Sequence, residues 1–306
     1  MYLRSMLYVP GDDDRKLAKA DNSGADAVVL DLEDSVAAAN RPVARHKVRR
    51  FLDERPHRAR NCQLWVRINA FDDSALTDLA AVVTAAPDGI VLPKINGPED
   101  VSRLEHCLDA LEVRDGVEPG SIKICAVATE TPAAVLRLHE FAQARLPRLV
   151  ALNWGAEDLS AAIGASTNLD ATGQWALTYR WARSAVLLAA KSAGVQAVDT
   201  VYVDYRDTEG LATACRESAQ EGFTGRVAIH PDQVAPINEQ FAPSDEDVAL
   251  ARRIVAAFDG SEGAVGTVGI DGRMFDIPHL KRAQHLLARH GLLPNGTNDD
   301  GTPSEL

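Results

Sequence analysis

Eight short apolar segments recur before residue 230, and most are followed by a longer segment with helical periodicity. Several are continuous runs of Val, Ile, Leu and Ala, as expected for parallel strands buried on both faces. Eight strands separated by helices over roughly 240 residues predict a (β/α)8 TIM barrel, which usually takes about 250 residues. A doubly wound open sheet is the alternative. The predicted strands are Ser5–Val9, Ala27–Leu32, Leu64–Ile68, Gly89–Leu92, Ile124–Ala128, Leu149–Leu152, Val201–Val203 and Val227–Ile229.

The intervals between the predicted strands have apolar residues at helical spacing. The predicted helices are Asp14–Asn22, Val43–Glu54, Ala75–Ala85, Pro98–Leu111, Ala133–Ala144, Thr178–Ala193 and Thr208–Glu221.

The pattern changes after the eighth strand. A helix is predicted over Val248–Phe258, a break at Ser261-Glu262-Gly263, and a second helix over Pro278–Arg289. Between them, Val265–Asp276 has the pattern of a hairpin that turns at Asp-Gly, a dipeptide favoured where φ is positive. We therefore predict three segments: a catalytic barrel over residues 1–242, a C-terminal helical and hairpin extension over 243–292, and a disordered polar tail over 293–306.

Charge and cysteine content limit the function classes. The net charge of -12 argues against a nucleic-acid-binding surface. The N-terminus has no charged region followed by a long apolar one, so neither a secretory signal nor a membrane protein is predicted. The four cysteines are far apart and form no CxxC pair, which is typical of reduced thiols in a cytoplasmic protein.

Polar residues follow most of the predicted strands. In a (β/α)8 barrel the active site lies at these carboxyl ends, so the side chains are expected to meet there. They include the acidic set Asp31, Glu33 and Asp34, then Arg67, Lys94, Glu130, the segment Asn153–Asp158, the segment Asp204–Asp207, and His230.

Converging carboxylates remain ionised together only when a cation neutralises them. Oxygen ligands without His or Cys favour a hard ion, and Mg²⁺ usually takes one or two protein carboxylates and completes its shell with water and substrate. Glu130 and Asp158 follow neighbouring strands and are the predicted metal ligands. Alternatively, both are ordinary acids in first helical turns.

Arg67 is a fixed positive charge suited to an enolate oxygen, although it could also be a buried partner of Asp31 or Asp34. We predict that Asp34 acts in catalysis, and that the helix opened by Gly155, Ala156, Glu157 and Asp158 binds a substrate carboxylate. Together these groups suit the making or breaking of a carbon–carbon bond next to a carbonyl.

Eight motifs occur in one order: YVPGDDDRKLAKA, DAVVLDLEDSV, LWVRINA, GIVLPKI, ATETPAAVL, NWGAEDLSAAIG, GRVAIHPDQVAPINEQFAPS and DGRMFDIPHLKRA. With them the chain resembles the citrate lyase beta-subunit-like branch of the HpcH/HpaI aldolase family, from about residue 3 to about residue 290. It departs from the family pattern at Thr129 and at Asn153-Trp154, both beside the predicted pocket.

The resemblance implies a Mg²⁺-dependent lyase that cleaves or forms a 3-hydroxyacyl-CoA thioester, such as citramalyl-CoA or malyl-CoA. The products are acetyl-CoA and a 2-oxo acid. Mg²⁺ would be held by Glu130 and Asp158, and Arg67 would contact the reacting oxygen. Arg15 and Lys94 are candidate contacts to CoA phosphates, with ordinary surface cations as the alternative.

The resemblance also implies a homotrimer or hexamer in which the C-terminal extension packs on a neighbouring subunit and Asp276 supplies an acid/base across the interface. Three other functions stay open. They are synthase or thioesterase activity at the same site, a CoA-independent 2-oxo acid aldolase, and a citrate lyase beta subunit whose thioester is carried by an acyl carrier protein.

Overall fold

A computed structural model describes residues 3–260 and 265–289 of the 306-residue chain. The chain divides into two compact units, of which the first ends at Phe241 and the second begins at Ala242. The predicted break at Ser261-Glu262-Gly263 and the predicted tail over 293–306 lie outside the described residues.

The first unit is a closed barrel of eight parallel strands in sequence order, and pairing between the first and last strands closes it. The predicted (β/α)8 barrel is therefore confirmed, and the open sheet is excluded. The strands are β1 Ser5–Pro10, β2 Ala27–Asp31, β3 Gln63–Arg67, β4 Gly89–Leu92, β5 Lys123–Val127, β6 Leu149–Asn153, β7 Gln196–Asp199 and β8 Gly225–Ala228.

Helices connect the strands and cover the barrel with their apolar faces. They are α1 Asp14–Ala20, α2 Arg41–Asp53, α3 Ala75–Val82, α4 Pro98–Asp115, α5 Pro132–Arg137, α6 Ala156–Ile163, α7 Leu177–Ser192, α8 Thr208–Glu221 and α9 Val234–Gln240. The predicted helices differ from these mainly at their ends, where α3 and α5 continue as short 3₁₀ turns.

The sequence-based position of β7 is wrong. Val201–Val203 lies beyond the strand, and the segment that pairs with its neighbours is Gln196–Asp199. The pattern is misleading because this strand ends in a fully buried carboxylate, Asp199. Arg226 and Arg183 pair with Asp199 at 2.8 and 3.1 Å, and these long-range partners allow a charge inside the barrel wall.

Side chains in the barrel interior form layers because alternate residues of a strand point to the same side. A lower apolar layer includes Met6, Val29, Trp65, Val91, Cys125, Ala151, Val198 and Val227. Two residues further along most of these strands, toward the carboxyl ends, stand Tyr8, Asp31, Arg67, Val127, Asn153, Thr200 and Ile229. The polar residues of this second set form the floor of the site described below.

The second unit consists of α10 Asp245–Asp259, the antiparallel hairpin β9 Thr267–Ile270 and β10 Arg273–Asp276, and α11 Ile277–Arg289. The hairpin turns at Asp271 and Gly272 with φ of 48° and 73°, which confirms the predicted Asp-Gly turn. Ala251, Ile254, Phe275, Ala283 and Leu287 form its apolar cluster. The packing of this unit on a neighbouring subunit stays a prediction.

Within residues 3–260 and 265–289, no helix combines the length and apolar character needed to cross a membrane.

Candidate active site

A cavity of about 780 Å³ opens at the carboxyl ends of the barrel strands. Its wall includes residues from several strand ends and from the first turns of α1 and α6. Among the predicted site residues it brings together Arg15, Arg67, Glu130, Gly155, Ala156, Glu157 and Asp158. An adjoining cavity of about 570 Å³ is lined by Lys94 and shares Glu130 and Asp158 with the first.

Arg67, at the end of β3, is held by a bidentate ion pair. Its Nε and Nη2 donate to the two oxygens of Asp31, both at 2.7 Å, and Nη1 lies 3.0 Å from Glu33. Asp31 is fully buried, and although burial alone would raise its pKa, Arg67 holds the pKa of Asp31 below its usual range. The guanidinium is thereby fixed at the cavity wall, above the ring of Tyr8 at 5.0 Å.

Lys94, which follows β4, places its ammonium within the acidic set. Nζ pairs with Glu33 and lies 3.0 Å from Asp34 and 3.7 Å from Asp158. Burial raises the pKa of the Glu33 carboxyl to about 6, although Arg67 and Lys94 oppose the shift. Asp34 is half exposed, so its charge is partly solvated. The role of Lys94 as a CoA contact and that of Asp34 in catalysis stay predictions.

Glu130 lies just beyond β5 and is 3% exposed. Its carboxylate accepts a hydrogen bond from the backbone N–H of Lys94. Burial raises the pKa of Glu130 to about 8, and the nearby charge of Asp158 adds to the effect. A cation near the two carboxylates would favour the ionised form of the buried Glu130 beside the partly exposed Asp158.

Gly155 lets the loop after β6 approach Glu130. A Cβ at this position would lie 2.8 Å from Glu130 Cγ, closer than real carbon atoms approach, so a larger residue would displace the carboxylate. The Gly155 N–H donates to Thr129 Oγ1 at 3.0 Å and is therefore already engaged within the protein. Glu157 accepts a hydrogen bond from Asn168 at 2.8 Å. Substrate binding by the first turn of α6 stays a prediction.

The donor set of Glu130 and Asp158 fits a magnesium ion. Among the described residues, no group of three His, Cys, Asp or Glu side chains is arranged to hold a metal by itself. Mg²⁺ does not require such a group, because it commonly uses one or two carboxylates and takes its remaining oxygens from water and substrate. Burial is the main cause of the raised pKa of Glu130, and the charge of Asp158 adds to it; a cation beside these two residues would oppose both effects.

Sequence reasoning missed two polar residues of the cavity floor or wall, Tyr8 and Thr200, and it named Asn153 only as a strand-end residue beside the predicted pocket, without a role. Their signal was the spacing along the strands, since each lies two residues beyond an apolar residue of the lower layer. The cationic residues Arg15, Lys16 and Lys19 line the same cavity from α1.

Asp276 lies in the second unit, directly before α11. Its carboxylate accepts from the backbone N–H of His279 at 3.4 Å and is paired with the His279 ring. The hydrogen bond to this ring lowers the pKa of Asp276. The acid therefore has a local structural role at the start of α11, and its catalytic role across a subunit interface stays a prediction.

A closed (β/α)8 barrel whose carboxyl ends surround a fixed arginine, the buried Glu130 and the partly exposed Asp158 is typical of barrel enzymes that bind a metal ion through oxygen ligands. Residues 4–231 match the HpcH/HpaI aldolase/citrate lyase family, and the chain belongs to this family. The predicted family and the predicted lyase class are thereby confirmed.

Curated relatives and a solved structure resemble the chain over nearly its whole length. Mitochondrial citramalyl-CoA lyase of Rattus norvegicus is 33% identical over 93% of this chain and 85% of that protein. Citrate lyase subunit beta of Escherichia coli K12 is 36% identical over 94% and 92%. CitE of Mycobacterium tuberculosis, solved with magnesium, acetoacetate and coenzyme A, superposes with a TM-score of 0.73 at 33% identity, covering 95% and 98% of the two chains.

Proposed function

We propose that this protein is a Mg²⁺-dependent carbon–carbon lyase that cleaves or forms a 3-hydroxyacyl-CoA thioester, such as citramalyl-CoA or malyl-CoA. The products of cleavage are acetyl-CoA and a 2-oxo acid. The observation that carries the proposal is the buried Glu130 beside Asp158, in one cavity with the clamped Arg67. Similarity to citramalyl-CoA lyase and to CitE bound to magnesium and coenzyme A supports it.

Glu130 and Asp158 would hold the metal. Bound there, Mg²⁺ would withdraw electron density from the substrate oxygens and stabilise the negative charge that develops when the carbon–carbon bond breaks. The backbone N–H of Lys94 fixes one oxygen of Glu130, and Gly155 gives the carboxylate its space. These contacts keep the ligand oriented before substrate binds.

Arg67 would stabilise the thioester enolate that leaves the oxo acid. Asp31 and Glu33 hold the guanidinium in place, so that little reorganisation is needed as charge develops on the substrate oxygen. A base would take the 3-hydroxyl proton of the substrate as the carbon–carbon bond breaks. Asp34, which is half exposed near Lys94 and lines neither of the two cavities, is proposed to assist this transfer. The cavity can receive the thioester past α1, where Arg15 would contact a CoA phosphate.

Asp276 would return a proton to the acetyl-CoA carbanion from a neighbouring subunit of a homotrimer or hexamer. Asn is a good N-cap, so Asp276→Asn keeps the start of α11 while removing the acid. We expect this variant to stop exchange of the acetyl-CoA α-protons with solvent, measured by NMR in D₂O, and to retain oxo-acid binding. Continued exchange at the wild-type rate would remove Asp276 from the mechanism.

The test of the proposal is turnover of citramalyl-CoA, malyl-CoA and citryl-CoA by the purified protein with and without Mg²⁺. We expect Glu130→Gln and Asp158→Asn each to lower Mg²⁺-dependent turnover by a factor of about 100 or more, because each removes a ligand oxygen charge. Asp53→Asn, an exposed acid on α2, is the matched control and should leave turnover unchanged. Normal turnover by either site variant would refute the metal assignment, and no turnover of any CoA thioester would refute the proposed activity.

A carrier-protein-dependent citrate lyase beta subunit is the second candidate. The observation that favours it is the 36% identity to the Escherichia coli subunit. Turnover of CoA thioesters by the chain alone would exclude a requirement for a carrier protein. A cytoplasmic location is part of the same proposal, although the rat relative is mitochondrial.

A further inference from the structure

One polar side chain on the cavity floor has a donor without a partner. Asn153, the last residue of β6, is 4% exposed and lines the cavity. Its side-chain Nδ2 makes no hydrogen bond to any other described residue. A buried amide donor without a partner is costly, so such groups in proteins usually meet a ligand or an ordered water.

The strand fixes the direction in which this amide points. Asn153 pairs with Val127 of β5, and its carbonyl oxygen accepts from the Ala128 N–H at 2.8 Å. Ala151, two residues earlier, belongs to the apolar layer in the barrel interior. Asn153 therefore projects into the interior one layer higher, at the floor of the cavity.

We infer that Asn153 determines specificity by donating a hydrogen bond to an acceptor oxygen on the substituent of the 2-oxo acid. The inference rests on the proposed function. The carboxylate and keto oxygens are shared by all 2-oxo acids and would face the metal held by Glu130 and Asp158, whereas the enolate oxygen would face Arg67. The group that differs between substrates is the substituent on the keto carbon, and the buried, unpaired amide donor of Asn153 on the cavity floor is suited to recognise it.

The substituent is a hydrogen in glyoxylate, a methyl group in pyruvate and a carboxymethyl group in oxaloacetate. Only the last offers an acceptor, while the other two would displace water and leave the amide unpaired. Sites built to hydrogen-bond a substrate discriminate strongly against analogues that lack the matching group. Within the proposed class of 3-hydroxyacyl thioesters, Asn153 therefore favours a citryl thioester, which releases oxaloacetate, over citramalyl-CoA and malyl-CoA, which release pyruvate and glyoxylate.

The experiment is a calorimetric titration of the Mg²⁺-loaded protein with oxaloacetate, pyruvate and glyoxylate. We expect the wild-type protein to bind oxaloacetate about tenfold or more tightly than pyruvate, a ratio that corresponds to one good hydrogen bond. Asn153→Leu, close in size but without the donor, should abolish this ratio by weakening oxaloacetate binding. Asn61 is exposed, and Asn61→Leu is the matched control, which should keep the wild-type ratio of oxaloacetate to pyruvate affinity.

Asn153→Asp is a second variant of equal size, and it removes the donor while adding a negative charge. It should weaken oxaloacetate binding even if the leucine variant does not fold, as judged by circular dichroism. Tighter wild-type binding of pyruvate or glyoxylate, or an unchanged ratio in a folded variant, would overturn the inference alone. Failure of the wild-type protein to bind any of the three acids would overturn the proposed function together with it.

Discussion

Replacing Asp31 by Asn tests the ion pair that positions Arg67. The variant keeps the shape of the side chain but removes the charge and turns one of two oxygens into a donor. Both of these oxygens accept from Arg67 at 2.7 Å, with side chains only 1% and 14% exposed. Breaking one partner of a buried pair costs about 3–5 kcal/mol. Because Glu33 remains 3.0 Å from Arg67, we expect the lower end, about 3 kcal/mol.

The assay is urea unfolding at pH 7, followed by circular dichroism, for the wild-type protein and two variants. The control is Asp53→Asn, which breaks a pair with Arg49 whose side chains are 48% and 34% exposed. Exposed pairs contribute less than about 1 kcal/mol, so the control should be nearly as stable as the wild type. If Asp31→Asn lowers the free energy of unfolding by less than 1 kcal/mol, or by no more than the control variant does, burial does not strengthen this pair.

Three further predictions concern single residues. Gly155→Ala places a methyl group 2.8 Å from Glu130 Cγ and should weaken Mg²⁺ binding at least about tenfold by calorimetry; equal affinity would contradict the steric argument. Burial alone would raise the pKa of Asp199, but Arg226 helps hold this pKa at about 2, below the usual 3.8. The ionised carboxylate therefore contributes ~2 kcal/mol to the free energy of unfolding above pH 4, and this contribution is lost as the pH falls toward 2. Acid unfolding should show this loss, and Asp199→Asn should lack it. Lys94 has a φ of 51°, a left-handed conformation that strains residues with a Cβ but not glycine. The free energy of unfolding in urea should therefore be about 1 kcal/mol higher for Lys94→Gly than for Lys94→Ala, and the reverse order would mean that the backbone is unstrained.

Local sequence patterns were sufficient for most of the barrel because each strand is a short apolar run that needs no distant partner to be recognised. The hairpin turn could also be predicted from local sequence, since Asp271 and Gly272 adopt the positive φ values that an Asp-Gly dipeptide accepts at low cost. β7 was not local. Its last residue, Asp199, can be buried because it pairs with Arg183 and Arg226 from other elements of the fold. These partners are 16 and 27 residues away along the chain, so the short sequence around Asp199 does not include them.

In the candidate site, too, some features follow from local sequence and others depend on the folded barrel. Strand ends indicated that Glu130, Asp158 and Arg67 face one region, and all three line one cavity. The sequence left open which acid pairs with Arg67, because Asp31 and Asp34 are close along the chain. In the structure Arg67 pairs with Asp31 at 2.7 Å and with Asp34 only at 3.9 Å, and Asp34 lies closer to Lys94, at 3.0 Å. This arrangement depends on the barrel register between β2 and β3 and on the loop after β4.

The two layers of the barrel interior have a consequence for how such an enzyme can diversify. Asn153, which lines the cavity, is separated by a single position from Ala151, which belongs to the apolar layer below it. Exchanging the upper residue leaves the lower contacts intact, so a lineage can acquire a new substrate by changing a few strand-end codons while its barrel continues to fold as before.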